Sequence, residues 1–322
     1  MLKPRKLDYF VTVVDSGSFS KAARELRMTQ PTLSQQIASL ESHLGRPLLV
    51  RGARTVMVTE AGRVLYRHAQ LLRRQMRQAE EDVRHSDESG VGGVSLGLAT
   101  CGAVATLALP VLARMRERSP ELRLQISDNF AGVLSEWIMS GRIDLALVYG
   151  MGPIHGVRFD PLFYEELFLI APRDFPRARR DGRLPLRTLR DEPFILPSAV
   201  HFLRPLIERA CLAQGFRPHV VAEVDSLSGL LETLRHGLGI TILPRTALEQ
   251  EAGSGAFAIL PLGPEPIEVP VSLCVSDHLP ITPVIENLVS VIRTLVREQL
   301  EGGVWRGVRP RLDPSYAEAA SE

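Results

Sequence analysis

Along the first 88 residues apolar positions recur at helical spacing, and beyond residue 93 they gather into short runs that alternate with helical periods. Leu7, Phe10, Val11 and Val14 predict a helix over 4–15, stopped by Asp15-Ser16-Gly17. Phe19, Ala22, Ala23 and Leu26 predict a second, short helix that Ser18 or Ser20 can cap. A break at Met28-Thr29 precedes a third helix, in which Thr29 is the cap, Pro31 suits the first turn, and Leu33, Ile37, Leu40 and Leu44 form one apolar stripe. Leu48 to Thr59 alternates about a Gly-Ala-Arg turn and reads as a small β-ribbon. From Glu60 to about Glu88 the chain carries no proline, while Ala61, Leu65, His68, Leu72, Gln75 or Met76, Ala79 and Val83 repeat every three or four residues.

Ser86 to Gly93 is hinge-like in composition. After it, strands are predicted at 94–99, 122–127, 145–148, 167–172, 194–197, 220–224, 240–244 and 270–276, with helices at 103–118, 132–140, 203–214, 226–236 and 283–300. Such alternation implies an α/β fold of parallel strands and crossover helices. Residues 303–322 hold Trp305, prolines and mixed charge without an apolar period, and are expected as a flexible tail.

The face of the third helix opposite its stripe keeps Gln30, Thr32, Ser34, Gln35 and Gln36, which are hydroxyls and amides and not the Lys/Glu mixture of a merely solvated face. These groups both donate and accept, as reading base edges in the major groove of double-stranded DNA requires. The second and third helices then form a helix-turn-helix, with Ser18 among its DNA contacts. Taken alone, this stretch is equally compatible with an ordinary helical hairpin. Arg51 and Arg54, near the tip of the ribbon, can meet phosphate or a narrow minor groove, or stand as solvated charges on a turn. The seam of the long helix needs a partner. A second copy would make Leu65, His68, Leu72, Met76, Ala79 and Val83 dimerisation residues; an element of the same chain is the alternative.

The segments AARELRMTQPTLSQQIASLE and GRPLLVRGARTVMVTEAG, in this order and spacing, closely resemble the winged helix-turn-helix of the LysR-type transcriptional regulators. Farther on, GRIDLALVYG and EELFLIAPRDFP are similar to the nitrogen-assimilation control regulators of that family. The resemblance implies a multidomain α/β protein with a winged helix-turn-helix DNA-binding domain (1–58), a linker and dimerisation helix (59–88), a hinge (89–93) and a regulatory domain (94–302) like periplasmic solute-binding proteins. In that last domain 94–163 with 269–302 would be one α/β subdomain and 164–268 the other. It further implies an inverted-repeat operator bound by a homodimer or homotetramer, contact with RNA polymerase, and a small-molecule effector in the cleft between subdomains. Carried over by position, the cleft would be lined by Thr100, Cys101 and Gly102 at the end of the first strand, by Asp128-Asn129-Phe130, by Ser198 to Phe202 with His201, and by Asp225-Ser226. Many members present a pair of hydroxyls at the first position. Here Thr100 is followed by Cys, Gly and Ala.

Composition changes this picture in one respect. The 322 residues have a net charge of only +1, yet residues 1–58 hold nine Lys and Arg against four Asp and Glu, a net +5 that leaves −4 for the rest. The phosphate-attracting field therefore sits on the first domain, and DNA binding is expected to be strongly salt-dependent. With 45% hydrophobic and 23% charged residues the chain reads as globular. Neither a secretory signal pattern nor a run of roughly 18 apolar residues is present, so a cytoplasmic location without a membrane partner is expected. Three separated cysteines argue against a disulfide framework or thiolate metal site. HExxH, CxxC, GxSxG and GxxxxGK are all missing, and neither enzymatic activity nor a cofactor or metal is expected. Two rival readings remain: a regulator without an effector, controlled by its own abundance, and a metabolite-binding module without a specific DNA site.

Overall fold

The computed structural model describes residues 2–51, 56–84, 93–150, 152, 154, 156–176, 182–251 and 255–311. The chain divides into two compact units: Met1–Ser89 with Met139–Arg142 and Ser276–Pro280, and Gly90–Ile138 with Ile143–Val275 and Ile281–Glu322.

In the first unit, α1 (Pro4–Ser16) starts on a proline and ends at Gly17, whose φ of 62° closes the last turn. α2 (Phe19–Glu25) is capped by Ser18, and α3 (Gln30–Leu44) by Thr29. Between them Arg27 takes a left-handed φ of 53°, which lets the chain reverse within a few residues. Phe10, Val13, Ala22, Ala23, Leu33, Ile37 and Leu40 meet in one core, joined by Leu48 and Leu49. The ribbon of β1 (Leu49–Arg51) and β2 (Val56–Val58) pairs Leu49 with Val58. The helix α4 (Glu60–Arg84) follows.

The second unit opens with β3 (Gly93–Ala99), α5 (Gly102–Thr106), α6 (Ala108–Arg118), β4 (Arg123–Asn129), α7 (Ala131–Met139) and β5 (Leu145–Tyr149). β3 lies parallel between β4 and β5. A long strand, β6 (Val157–Pro172), is followed by β7 (Leu184–Pro185), β8 (Pro193–Leu196), α8 (Leu203–Ala213), β9 (His219–Glu223), α9 (Leu227–Arg235) and β10 (Thr241–Pro244). β8 runs parallel to β9, and Phe194 also bridges Ile240 beside β10. The βαβ arrangement of the first half therefore recurs in the second. Then come β11 (Phe257–Gly263), β12 (Ile267–Ser276), α10 (Pro283–Glu301) and β13 (Val308–Pro310). β12 joins the first half through β5, while the distal part of β6 pairs with both β10 and β11. β6 also neighbours β12, so this one strand serves both halves.

Four expectations differ from what is observed. The sheet is mixed and not all-parallel, since β12 pairs with β5, and β6 with β10 and β11, in the antiparallel sense. The helix expected over 103–118 is two helices meeting at Leu107, the C-cap of α5 and N-cap of α6. Pro110, which lacks an N–H to continue the α5 ladder, sits in the first turn of α6, where that loss is tolerated. The strand expected over 167–172 begins ten residues earlier, at Val157. The tail expected from residue 303 is folded as far as 311. Trp305 is buried, its ring lies 5.1 Å from that of Phe163, its Nε1–H donates to Thr106 Oγ1 at 3.1 Å, and β13 pairs with Phe163–Glu165. An isolated apolar residue without a period gave no sequence signal, but a tryptophan supplies enough apolar area to anchor a short segment. Residues 312–322, Arg54 and most of the expected hinge lie outside the described residues.

Candidate DNA-binding surface and effector cleft

The stripe of α3 sets which side chains remain available. Leu33, Ile37 and Leu40 are at most 1% exposed, so Gln30, Thr32 and Gln35 lie on the open face, with Ser34 and Gln36 half-buried at its margins. The N-terminal turn is tied down by Thr29, whose Oγ1 accepts from Thr32 N–H at 3.4 Å and lies 2.8 Å from Thr32 Oγ1. Ser18 Oγ accepts from Lys21 N–H at 3.5 Å, so this predicted contact residue also caps α2. Glu41 links the helix to the ribbon: its Oε1 accepts from Leu48 N–H at 2.8 Å and Leu49 N–H at 3.1 Å. The ribbon entrance is therefore fixed relative to α3. The backbone of Arg51 ends β1.

α4 is two-faced along its length. Its first turns pack inward, with Ala69 buried against Leu7 and Val11 and with Leu65 and Tyr66 on the same cores. Asp15 Oδ1 accepts from Tyr66 Oη at 2.5 Å. Gly62 lets the helix approach the ribbon, since a Cβ there would sit 2.2 Å from Leu48 O. Farther on, Leu72, Met76 and Val83 are 46%, 49% and 75% exposed, and His68 and Ala79 are also exposed. Among the six predicted seam residues Leu65 is thus the one that packs within its own chain.

The second unit contains a cleft of about 240 Å³ at the carboxyl ends of its strands. Thr100, Cys101, His201 and Asp225, four of the predicted residues, line it together. Asp128, Phe130 and Ser226 complete the loops that were expected to face them, and Pro197, Leu227, Leu230 and Leu243 supply apolar wall. Gly102, Asn129, Ser198 and Phe202 are neighbours of the lining in sequence, each with a local task. Gly102 begins α5 at φ 69°, Asn129 Oδ1 accepts from Phe130 N–H at 2.9 Å, Ser198 N–H donates to Asp225 Oδ1 at 2.8 Å, and Phe202 stacks on Tyr149 at 4.2 Å.

Behind Cys101 lies a buried carboxylate that the sequence reading did not single out. Glu165, 1% exposed on β6, accepts from Ala103 N–H at 3.1 and 3.3 Å, from Tyr149 Oη at 2.5 Å and from Thr246 Oγ1. Burial and the Glu165 charge push the Tyr149 phenol well above its ordinary range, so it stays a donor. The same two causes hold Cys101 as a thiol, and burial with the Glu208 charge raises Cys211 to about 12. Neither cysteine is a ready nucleophile. The missed signal was phase: Phe163, Glu165, Leu167 and Leu169 share one face of a strand, and that face is the buried one.

His201, 4% exposed, is edge-on to Phe130 at 5.4 Å, and its Nδ1 accepts from Leu203 N–H at 3.2 Å. Burial lowers its pKa to about 4, against the opposing pull of Asp225. A depressed histidine contributes stability that is complete above its unfolded value near 6.5 and is lost as pH falls toward 4. Unfolding midpoints measured across that window should fall with acidification, and should fall less in His201→Phe.

Among the described residues no grouping of His, Cys, Asp and Glu could hold a metal ion, and no helix is long and apolar enough to cross a membrane. Residues 4–63 match the model of the bacterial regulatory helix-turn-helix proteins of the lysR family, and residues 89–297 match the LysR substrate binding domain. The chain is 30% identical over 298 residues to the nitrogen assimilation regulatory protein nac of Klebsiella aerogenes, covering 92% of this chain and 96% of that one. It is 33% identical over 250 residues to nac of Escherichia coli (strain K12), covering 78% and 81%. Its fold is similar to that of a full-length OxyR point variant from Pseudomonas aeruginosa, with a TM-score of 0.69, 22% identity, and 92% and 95% of the two chains covered. A helix-turn-helix with a ribbon, a two-faced long helix and a two-part α/β unit with a cleft thus coincide with both family models, and the chain belongs to the LysR family as a LysR-type transcriptional regulator.

Proposed function

We propose that this regulator reads an inverted-repeat operator as a homodimer or homotetramer, and that a small molecule in the cleft of its second unit modulates it. The observation that carries the reading is the division of α3: a fully buried stripe of Leu33, Ile37 and Leu40 leaves amides and hydroxyls exposed at the helix N-terminus. Gln30, Thr32, Ser34, Gln35 and Gln36 would read base edges, while Ser18, Arg51 and Arg54 would hold the backbone. The bare apolar positions Leu72, Met76, Ala79 and Val83 favour pairing of α4 with its copy, with His68 beside them. Thr100, Cys101, His201 and Asp225 would meet the effector, with Gly102, Asn129, Ser198 and Phe202 shaping the adjoining loops. Closure of the cleft would change the angle between paired winged domains, and through it contact with RNA polymerase. Such a protein works in the cytoplasm. The division into a winged domain (1–58), linker helix (59–88), hinge (89–93) and two-part regulatory domain (94–302) belongs to the same proposal.

Selection of bound sequences from random duplex DNA by the full-length protein tests it. An enriched inverted repeat of fixed spacing is the expected result; recovery of no motif by folded, oligomeric protein overturns it. With the operator in hand, Gln35→Ala should weaken operator binding by about 1–3 kcal/mol and random DNA far less, whereas Arg51→Ala should weaken both and lower the salt slope by about 1. Equal losses on the two DNAs for Gln35→Ala would remove its base-reading role.

A further inference from the structure

Among the described residues the cleft lining holds two carboxylates, Asp128 and Asp225, and no lysine or arginine. Arg204, close to it in sequence, is engaged elsewhere: Nε meets Glu208 at 2.6 Å, and Nη1 meets Glu223 at 2.9 Å and Pro197 O at 3.0 Å. Behind the Thr100–Cys101 wall, the Ala103 amide at the start of α5 could serve an incoming anion, but the carboxylate of Glu165 already occupies it. An entering carboxylate would therefore meet like charge, with no cationic side chain among the described lining residues to offset it.

His201 provides an independent indication of what fits. It is buried, lines the cleft, and has Nδ1 committed as acceptor to the Leu203 amide, which fixes its proton on Nε2. That Nε2–H has no partner among the described residues, so beside two carboxylates the wall presents a buried uncharged donor, with the hydroxyls of Thr100 and Ser226 also in the lining.

We propose that the cleft takes a small ligand without negative charge, an amine or amidine that also carries an uncharged acceptor oxygen, its cationic end held by Asp128 and Asp225 and its oxygen by His201. This rests on the cleft being the effector site. The charges of Asp128 and Asp225 would draw a cation in and exclude the small carboxylates.

Titration calorimetry and thermal shift on the full-length protein test it, with glycinamide and β-alaninamide against succinate and benzoate as probes. Saturable binding of an amino amide is expected, weakened at least tenfold by Asp225→Asn and by His201→Phe, with no saturable response to either carboxylate. Asp225→Asn keeps an oxygen for the Ser198 amide; should it still misfold, Asp128→Asn, at an exposed position, makes the same electrostatic test. Saturable carboxylate binding that responds to Thr100→Ala would overturn the ligand class while leaving the cleft as an effector site. Failure of all four probes to bind would overturn the ligand class and remove support for the cleft reading as well.

Discussion

Glu165→Leu should destabilise the second unit by about 3–5 kcal/mol, the range expected when one partner of a buried ionic or charge-assisted network is removed. Leucine matches the volume of the side chain but accepts nothing, and three buried donors, Ala103 N–H, Tyr149 O–H and Thr246 O–H, lose their acceptor together. Tyr149 can fall back on Cys101 O at 3.0 Å, which holds the loss below the sum of three orphaned groups. Glu165→Gln keeps one acceptor oxygen and should cost about 1–2 kcal/mol. Both tryptophans, Trp137 and Trp305, belong to the second unit, so urea unfolding followed by their fluorescence reports that unit alone. A leucine variant as stable as the glutamine variant would mean that the carboxylate is not what these donors require.

Gly62→Ala should act on the other unit. Alanine ordinarily stabilises a helix relative to glycine by up to about 1 kcal/mol. Here its Cβ would lie 2.2 Å from the backbone oxygen of Leu48 and 2.7 Å from Val58 Cγ1. The backbone atom cannot swing aside, because Leu48 O also accepts from Thr59 N–H at 3.0 Å and Leu48 N–H is held by Glu41. The net result is a loss of about 1–3 kcal/mol, or roughly 10 °C in the midpoint of a unit of this size, with the ribbon displaced from α3. Circular dichroism and DNA retention should both register it, while the tryptophan transition stays in place. An unchanged DNA affinity would show that the ribbon is not held by this approach of α4.

How far each of these features could be read from the chain depended on whether its cause was local. α1 to α3 were legible because their caps, stops and stripes lie within a few residues of one another: Thr29, Pro31 and Gly45 bound α3. The βαβ order was legible for the same reason. The proximal half of β6 was not, because Arg158, Asp160 and Pro161 interrupt the apolar pattern and the partners that order it, β12 and β13, are far along the chain. Of the cleft, the loops that follow strand ends could be placed by analogy of position. Glu165 could not, since a glutamate in sequence looks like solvent-facing charge until the register of its strand and the donors around it are known. Its neighbour Glu166 pairs with Arg183 at 2.6 Å, so two adjacent identical residues have opposite fates on the two faces of one strand.

β13 has a practical consequence. At Phe163–Glu165 it covers one side of β6, and Gly307 O accepts the next amide, that of Glu166, at 2.7 Å. The bidentate pair of Arg309 with Glu268, at 2.6 and 2.7 Å, fastens it to β12. A chain cut after residue 302, where the final long helix ends, would strip this cover and leave a row of unpaired amides and carbonyls beside the apolar site vacated by Trp305. Such an edge recruits strands from other molecules. Proteins shortened there should precipitate in preparation, and crystals or solution assemblies grown from them would carry contacts that the intact chain forbids.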